Sequence, residues 1–487
     1  MANFLKVNRL PITLTADAER QVRAGHPWIF DQSIAQVKGV GQPGDLGMVF
    51  DRKKNKLMAI GLYDPDSPIR LRIIHRGGSK IIDKAFWSEQ LEAALQTRKA
   101  ARHPMHLLPE RLFGKSSSDV LASPSSKTSA SSGPKPAEGS SEVSADGPQR
   151  PPMSFERTQG ASPQRPPMTI GKAKRFSNEA SEDLGRLEVS GWRVIHGESD
   201  GFPGLVVDHY AGTLVVKVYS PIWLPWFKMV MELLMEKFEQ PTVVMRLSRQ
   251  LQKRADLPTH WVDGRVLHGQ LVDEQVTFSE YGLQFKANLI KGHKTGFFLD
   301  HRHNRKRVGE LAGGKRVLDL FSYVGGFSLH ALGGGARQVT SVDISAQAQA
   351  QVARHIELNS LDTSKHEAMV GDVFELLQTL KENNRLFDLI VSDPPSFAKR
   401  ADERERAMKA YRRLAKLVIP LVSPGGIYLA ASCSARITAD EFFEVQKQVL
   451  QKSGRKFEEL ERTFHDFDHP IGFKEGAYLK SIYYRLS

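Results

Sequence analysis

Arg316-Val317-Leu318-Asp319-Leu320-Phe321 is a short apolar run with an acidic residue near its end, followed at once by Ser322-Tyr323-Val324-Gly325-Gly326-Phe327-Ser328. The pattern returns in Val339-Thr340-Ser341-Val342-Asp343, Glu367-Ala368-Met369-Val370-Gly371-Asp372, Phe387-Asp388-Leu389-Ile390-Val391-Ser392-Asp393 and Gly426-Ile427-Tyr428-Leu429-Ala430-Ala431-Ser432. Helical segments separate the runs. Strands alternating with helices predict a parallel, doubly wound α/β sheet covered on both faces. Each of the first four runs ends in, or at the edge of, an aspartate, and the fifth ends at Cys433. Open sheets of this kind bind ligands beyond the carboxyl ends of their strands, so five polar groups are expected to converge on one crevice.

The loop after the first run has glycines for close backbone approach but lacks the Gly-x-Gly-x-x-Gly spacing of a pyrophosphate-binding turn. Asp343 stands where an acidic residue can accept hydrogen bonds from ribose hydroxyls. A nucleoside cofactor without a pyrophosphate satisfies both features. S-adenosyl-L-methionine is such a cofactor, and NAD fits less well. Cys433 is the one cysteine of the chain, so no intrachain disulfide can form. A lone cysteine is commonly a small buried hydrophobe. Its place at a strand end, forty positions after Asp393-Pro394-Pro395, favours a chemical role.

Working outward, 487 residues suggest two to four domains. Lys and Arg number 68 against 55 Asp and Glu, and the resulting +13 points to a polyanionic partner such as nucleic acid. No apolar stretch approaches the roughly 18 residues that span a bilayer, and Met1-Ala2-Asn3-Phe4-Leu5-Lys6 carries no signal-peptide core. A soluble, cytoplasmic protein with nucleic acid as its partner and no membrane partner is expected, and a homodimer is left open. Residues 116–185 are expected to be a disordered insertion. Nine of the seventeen residues from Ser116 to Ser132 are serine, and Pro-Gln-Arg-Pro-Pro-Met occurs at 148–153 and again at 163–168. Such composition buries too little apolar surface to offset its ordering entropy. The segment 115–185 holds nine basic and eight acidic residues, so +12 belongs to the rest of the chain.

Residues 1–76 read as a small β-rich domain, with short strands between Pro, Gly, Asp and Asn turn signals. Trp28 and Phe30 are expected in its core, while Arg20 and Arg23 fit an RNA contact or a solvated face equally well. Residues 77–115 form a helical connector whose stripe is Phe86, Leu91, Ala94 and Leu95. Residues 186–295 read as a middle α/β domain, in which Gly197-Glu198-Ser199-Asp200-Gly201 is most simply a turn. Residues 296–487 hold the doubly wound sheet.

Arg20-Gln21-Val22-Arg23-Ala24-Gly25-His26-Pro27-Trp28-Ile29-Phe30 resembles the opening of a PUA domain. Lys294-Thr295-Gly296-Phe297-Phe298-Leu299-Asp300-His301-Arg302, the loop from Asp319 to Phe327, Asp393-Pro394-Pro395-Ser396-Phe397 and Ser432-Cys433-Ser434 are similar to the motif series of the class I methyltransferases related to ribosomal RNA large subunit methyltransferase I. The resemblance covers most of the chain outside 116–185. It implies a Rossmann-like methyltransferase domain behind an N-terminal PUA-like RNA-binding domain and the middle α/β domain. It further implies transfer of a methyl group from S-adenosyl-L-methionine to cytosine C5 of 23S rRNA, free or in a large-subunit precursor. The cofactor residues on this reading are Asp319, Phe321, Gly325, Gly326, Phe327, Asp343, Asp372 and Asp393. Cys433 and Asp393 would be catalytic, and Pro394, Pro395, Phe397, Arg302 and Lys294 would meet the substrate. His301 departs from the glutamine expected after Leu299-Asp300.

Cytosine C5 is a poor nucleophile, and a thiolate adding to C6 makes it enamine-like. Arg436 and a helix opening at Thr438-Ala439-Asp440-Glu441 are candidates for the positive field that would favour the thiolate. Two other readings stand beside this one. Many amino-group methyltransferases use Asp/Asn-Pro-Pro followed by an aromatic, although Ser396 intervenes here before Phe397. A catalytically idle RNA-binding assembly factor is the other. His465-Asp466-Phe467-Asp468-His469 has metal-like spacing, but with no partner Cys and no His-Glu-x-x-His no metal is expected, and the segment is placed in the loop before the last strand pair. The basic cluster Lys291, His293, Lys294, Arg302, Arg305, Lys306 and Arg307 is read as either a solvated face or a phosphate track.

Overall fold

The computed structural model describes residues 7–100, 189–398 and 400–487. The insertion expected at 116–185 lies outside the described residues, as does the end of the connector at 101–115. Among the described residues no helix is long and apolar enough to cross a membrane.

Alternate burial builds the front sheet. β1 (Arg9–Leu14) turns Leu10, Ile12 and Leu14 inward. It joins β2 (Trp28–Phe30), β3 (Ile34–Val37), β4 (Leu46–Phe50), β5 (Leu57–Tyr63) and β6 (Ile69–Arg76) in the order β2-β6-β5-β4-β1-β3. β1 pairs with β4 in parallel, and the other pairs are antiparallel. The expectation that Trp28 and Phe30 enter the core is corrected by the same alternation. Ile29 points in at 1% exposure, so its neighbours point out: Phe30 is 41% exposed, and half-buried Trp28 donates Nε1–H to Glu198 at 2.9 Å.

The connector helix Lys84–Ala100 buries the predicted stripe. It packs on the second sheet, formed by β7 (Gly191–His196), β8 (Leu205–Tyr210), β9 (Thr213–Val218), β10 (Thr242–Leu247) and β11 (Val266–His268) in the order β11-β10-β9-β8-β7. Trp87 anchors the contact, with ring centroids 5.3, 5.1 and 6.0 Å from Phe202, Trp223 and Trp226. The turn at 197–201 is tied down on both sides. Asp200 holds the guanidinium of buried Arg98 in a two-pronged pair at 2.7 and 2.6 Å, and Glu198 takes Trp28.

A hairpin of β12 (Gln275–Glu280) and β13 (Leu283–Asn288) follows. Its Phe278 and Phe285 share one apolar core with Val215 and Val244 of the second sheet and with Phe297, Val317 and Leu329. The domain cut expected at 295/296 therefore does not fall at a gap in packing. The last sheet has seven strands: β14 (Arg316–Leu320), β15 (Gln338–Asp343), β16 (His366–Val370), β17 (Phe387–Ser392), β18 (Val422–Ser432), β19 (Phe457–Thr463) and β20 (Lys480–Leu486). Their order is β16-β15-β14-β17-β18-β20-β19, parallel through β18 and antiparallel at β20 and β19. Chain order reverses at β14, with β15 on one side and β17 on the other, and the carboxyl ends flanking that switch open a crevice. The His465–His469 segment lies between β19 and β20, inside the last strand pair rather than before it.

Candidate active site

The loop leaving β14 is held in a tight backbone conformation. Phe321 and Tyr323 adopt left-handed φ values of 60° and 48°, which side-chain-bearing residues rarely do, and such strain clusters at functional loops. Gly325, at φ 82°, could not carry a side chain: an added Cβ would lie 2.8 Å from Val352. Asp343, at the end of β15, fastens the loop by accepting Tyr323 N–H at 2.8 Å, and its other oxygen accepts Ser345 N–H at 2.9 Å. Asp372 caps the helix Val373–Glu382 through Phe374 N–H at 2.8 Å and remains exposed.

Asp319 is buried at the end of β14. One oxygen accepts both Ser328 N–H and Ser328 Oγ–H, at 3.0 and 2.7 Å, while Oδ1 has no partner. Burial pushes its carboxyl up to about 7; the two Ser328 bonds oppose this, and the charges of Asp393 and Asp343 add to it. Three carboxylates that repel one another, one with an empty acceptor, suit a ligand that brings positive charge together with hydroxyl groups. Phe327 opens the wall on this side, its ring 5.5 Å from His301.

Across the crevice, Cys433 follows β18 directly. Its thiol donates to the carbonyl of Pro394 at 3.8 Å, so the lone cysteine and the Asp-Pro-Pro turn meet. The flanking serines are buried struts: Ser432 Oγ pairs with Tyr411 OH at 2.8 Å, and Ser434 Oγ–H donates to Ala398 O at 3.1 Å. Pro394 is buried, Pro395 is exposed, and Phe397 rests edge-on against Tyr411 at 5.0 Å. Burial and then Asp393 push the Cys433 thiol up to about 12, with Lys294 and Lys480 acting in the opposite direction. The cations acting on this thiol are thus Lys294 and Lys480. Arg436, the expected source, is exposed.

The segment 293–305 supplies the remaining wall. Lys294 Nζ lies 3.3 Å from Asp300 Oδ2 and 4.4 Å above the Phe298 ring. His301, passed over by motif reading except as a departure, places Nε2 3.3 Å from Asp393 Oδ1. Asn304 accepts Thr463 Oγ1 at 2.5 Å and Tyr483 OH at 3.0 Å through its oxygen, which turns its amide nitrogen toward His301 Nδ1 at 3.1 Å. A neutral ring then carries its proton on Nε2, facing Asp393.

Arg302, expected to meet the substrate, lies in the interior instead. It is 0% exposed, with its guanidinium 2.9 Å from Asp468, 3.3 Å from Asp466 and 2.9 Å from the carbonyl of Gly191. Arg305 is likewise buried, in a bidentate pair with Glu280 at 2.6 and 2.7 Å that also takes His330 at 3.0 Å. Both belong to the interior, so the predicted basic cluster splits into buried clamps and an exposed remainder. Asp466 and Asp468, which carried the metal-like spacing, are the partners of Arg302. Among the described residues no group of three or more His, Cys, Asp or Glu is arranged to hold a metal ion.

Comparison with known proteins agrees with this geometry. Residues 193–479 match the model of the S-adenosylmethionine-dependent methyltransferase family, and residues 12–76 match a PUA-like domain. A ribosomal RNA large subunit methyltransferase from Deinococcus radiodurans is 38% identical over 479 residues, covering 98% of each chain. A ribosomal RNA large subunit methyltransferase I from Aliivibrio fischeri strain MJ11 is 28% identical over 477 residues, covering 98% of this chain and 99% of that one. In fold, a putative methyltransferase crystallised with SAH, SMU.776, superposes with a TM-score of 0.70 at 17% identity over 98% of this chain and 100% of the other. The unpartnered Asp319 oxygen and the surrounding carboxylates fit the cationic amino acid end and the ribose of the cofactor that this family uses. The chain belongs to the S-adenosylmethionine-dependent methyltransferases, in the PUA-containing family of ribosomal RNA large subunit methyltransferase I.

Proposed function

We propose that the protein methylates C5 of a cytosine in the RNA of the large ribosomal subunit, with Cys433 as nucleophile and Asp393 as the residue that holds the base. The observation carrying this reading is the contact of the only thiol with the Asp-Pro-Pro turn, 3.8 Å from Cys433 Sγ to Pro394 O. Bound S-adenosylmethionine supplies an electrophilic methyl group. Asp319, Asp343 and Asp372 would hold the cofactor, with Phe321, Gly325, Gly326 and Phe327 shaping its loop.

Because the thiol rests protonated, its proton must leave as the bond to C6 forms. Asp393 is the acceptor at hand. The charge of Asp393 disfavours a thiolate beside it, so the proton passes from sulfur to the carboxylate as sulfur bonds to C6 and the two are never ionised together. As sulfur adds to C6, the carbon–carbon π pair shifts toward N3, and Asp393 returns the proton there. C5 then takes the methyl group. Loss of the C5 proton to a base restores the C5–C6 double bond and expels Cys433 as thiolate, and N3 gives up its proton. Lys294 and the exposed Pro395 would meet the nucleotide. Amino-group methylation is less well supported, since Ser396 separates Phe397 from Asp-Pro-Pro and Phe397 already rests on Tyr411.

RNA as substrate is supported by the names of the relatives and by the charge. The front sheet also carries a cleft of about 1060 Å³ whose wall includes Arg20, Arg52, Lys53, Lys54 and Lys56. Affinity for RNA should fall with salt, with a slope of log affinity against log salt of about −3 or steeper, and a flat plot would refute electrostatic capture. Mapping 5-methylcytosine in ribosomal RNA from cells lacking the protein tests the assignment. One site should vanish from large-subunit RNA, and an unchanged map would overturn the reading.

A titration checks the cofactor end. Near neutral pH Asp319 is about half protonated, and a cationic ligand favours its carboxylate. Binding near neutral pH should therefore release about half a proton, and S-adenosylmethionine affinity should rise with pH from about 5.5 to 7. Calorimetry in two buffers of different ionisation heat reads the released proton directly. Asp319→Asn should abolish the release, and an unaltered proton count in that variant would sink the role.

A further inference from the structure

We propose that Lys480 is a positioning residue for Cys433: its buried ammonium clamps the backbone that follows the thiol and adds a positive charge that makes the thiolate more accessible during turnover. The inference rests on Cys433 being the nucleophile of the proposed reaction.

Lys480 opens β20 and sits opposite Ser432 in the antiparallel ladder, one residue from Cys433. It is 1% exposed and has no carboxylate partner among its contacts in the described residues. Instead its three ammonium protons go to backbone carbonyls, Ser434 O at 2.5 Å, Ile437 O at 2.6 Å and Tyr478 O at 3.1 Å. Two of those carbonyls lie in the turn leaving Cys433, and the third lies on the strand's own approach. A buried cation paired only with carbonyl dipoles is costly, and an aliphatic side chain would fill the same space more cheaply. The anion that would complete it is the thiolate of Cys433, which follows directly on the Ser432 that faces Lys480 in the ladder, and the charges of the two groups act on each other. The other groups acting on, or acted on by, the thiol are Asp393 and Asp300, which oppose the thiolate, Lys294, which favours it, and the phenols of Tyr411 and Tyr478. Lys294 has the larger effect on the thiol but is 41% exposed and open to screening, whereas Lys480 is buried; burial also pushes the Lys480 ammonium down to about 8, so its charge is complete only below that pH.

A single cysteine makes the test direct, because iodoacetamide labelling of the native-state thiol reports Cys433 alone. Labelling rates at fixed pH follow the thiolate fraction, so losing the charge should slow alkylation about tenfold in Lys480→Met. Lys480→Gln keeps two donors without the charge and should slow it similarly, which separates the field from the clamp. Lys480→Arg keeps the charge and should label within about threefold of the native rate. S-adenosylmethionine binding reports that each variant is folded. Alkylation of a folded Met or Gln variant at the native rate overturns the proposal. The labelling uses neither RNA nor turnover, so it stands apart from the nucleophile assignment, which Cys433→Ala tests separately.

Discussion

Cys433→Ala should lower methyl transfer to RNA by about 10⁴-fold or more while S-adenosylmethionine binds as before. The asymmetry follows from the site's layout. The carboxylates assigned to the cofactor, Asp319, Asp343 and Asp372, sit at the ends of β14, β15 and β16, whereas Cys433 leaves β18 beyond Asp393. Removing Sγ would delete the atom proposed to activate C5 and leave the serine struts at Ser432 and Ser434 in place. Single-turnover assays with labelled cofactor read the first quantity, and equilibrium dialysis the second. Turnover retained within tenfold would mean that the thiol is incidental, as an amino-group methyltransferase requires.

Arg302→Ala should cost about 3–5 kcal/mol of stability, the range for breaking a buried ion pair, and that loss should precede any effect on RNA affinity. With the guanidinium gone, Asp466 and Asp468 face each other and Glu280 without a shared cation. Already in the native protein burial pushes the Asp466 carboxyl up to about 6, against the pull of Arg302 and helped by the charge of Asp468. Arg302 also bonds the carbonyl of Gly191, and Asp468 accepts Arg193 N–H at 2.7 Å, so β7 and the 464–479 loop loosen together. Denaturant unfolding of the variant measures the loss. Native stability with weakened RNA binding would restore Arg302 to the substrate contacts.

The difference between Cys433 and Arg302 shows what a linear sequence conveys here. Strand ends were legible because apolar runs alternate with helices, and a parallel sheet delivers every such end to one side. That places Asp319, Asp343, Asp393 and Cys433 without further information. The fate of a cation depends on partners far along the chain. Arg302 finds Asp466 and Asp468 more than 160 positions later, and Arg305 finds Glu280 25 positions earlier. One local signal was present. Arg302 and Arg305 share a helix face with Val308 and Gly309, while Arg307 lies on the opposite side, so the cluster was never one surface. Lys480 gave no signal at all, since a lysine at the start of a strand ordinarily faces water. Its burial arises from the antiparallel return of β20 beside β18.

On the proposed mechanism a covalent bond joins Cys433 to cytosine C6 in each turnover. Fluorine at C5 allows sulfur to add and the methyl group to transfer, but leaves no C5 proton to remove, so the enzyme cannot be expelled. Incubating the protein with S-adenosylmethionine and 5-fluorocytidine-substituted ribosomal RNA should therefore give a protein–RNA species that survives denaturing electrophoresis, absent with Cys433→Ala. Efficient 5-methylcytosine formation on ordinary RNA with no trapped species on the fluorinated substrate would contradict the account.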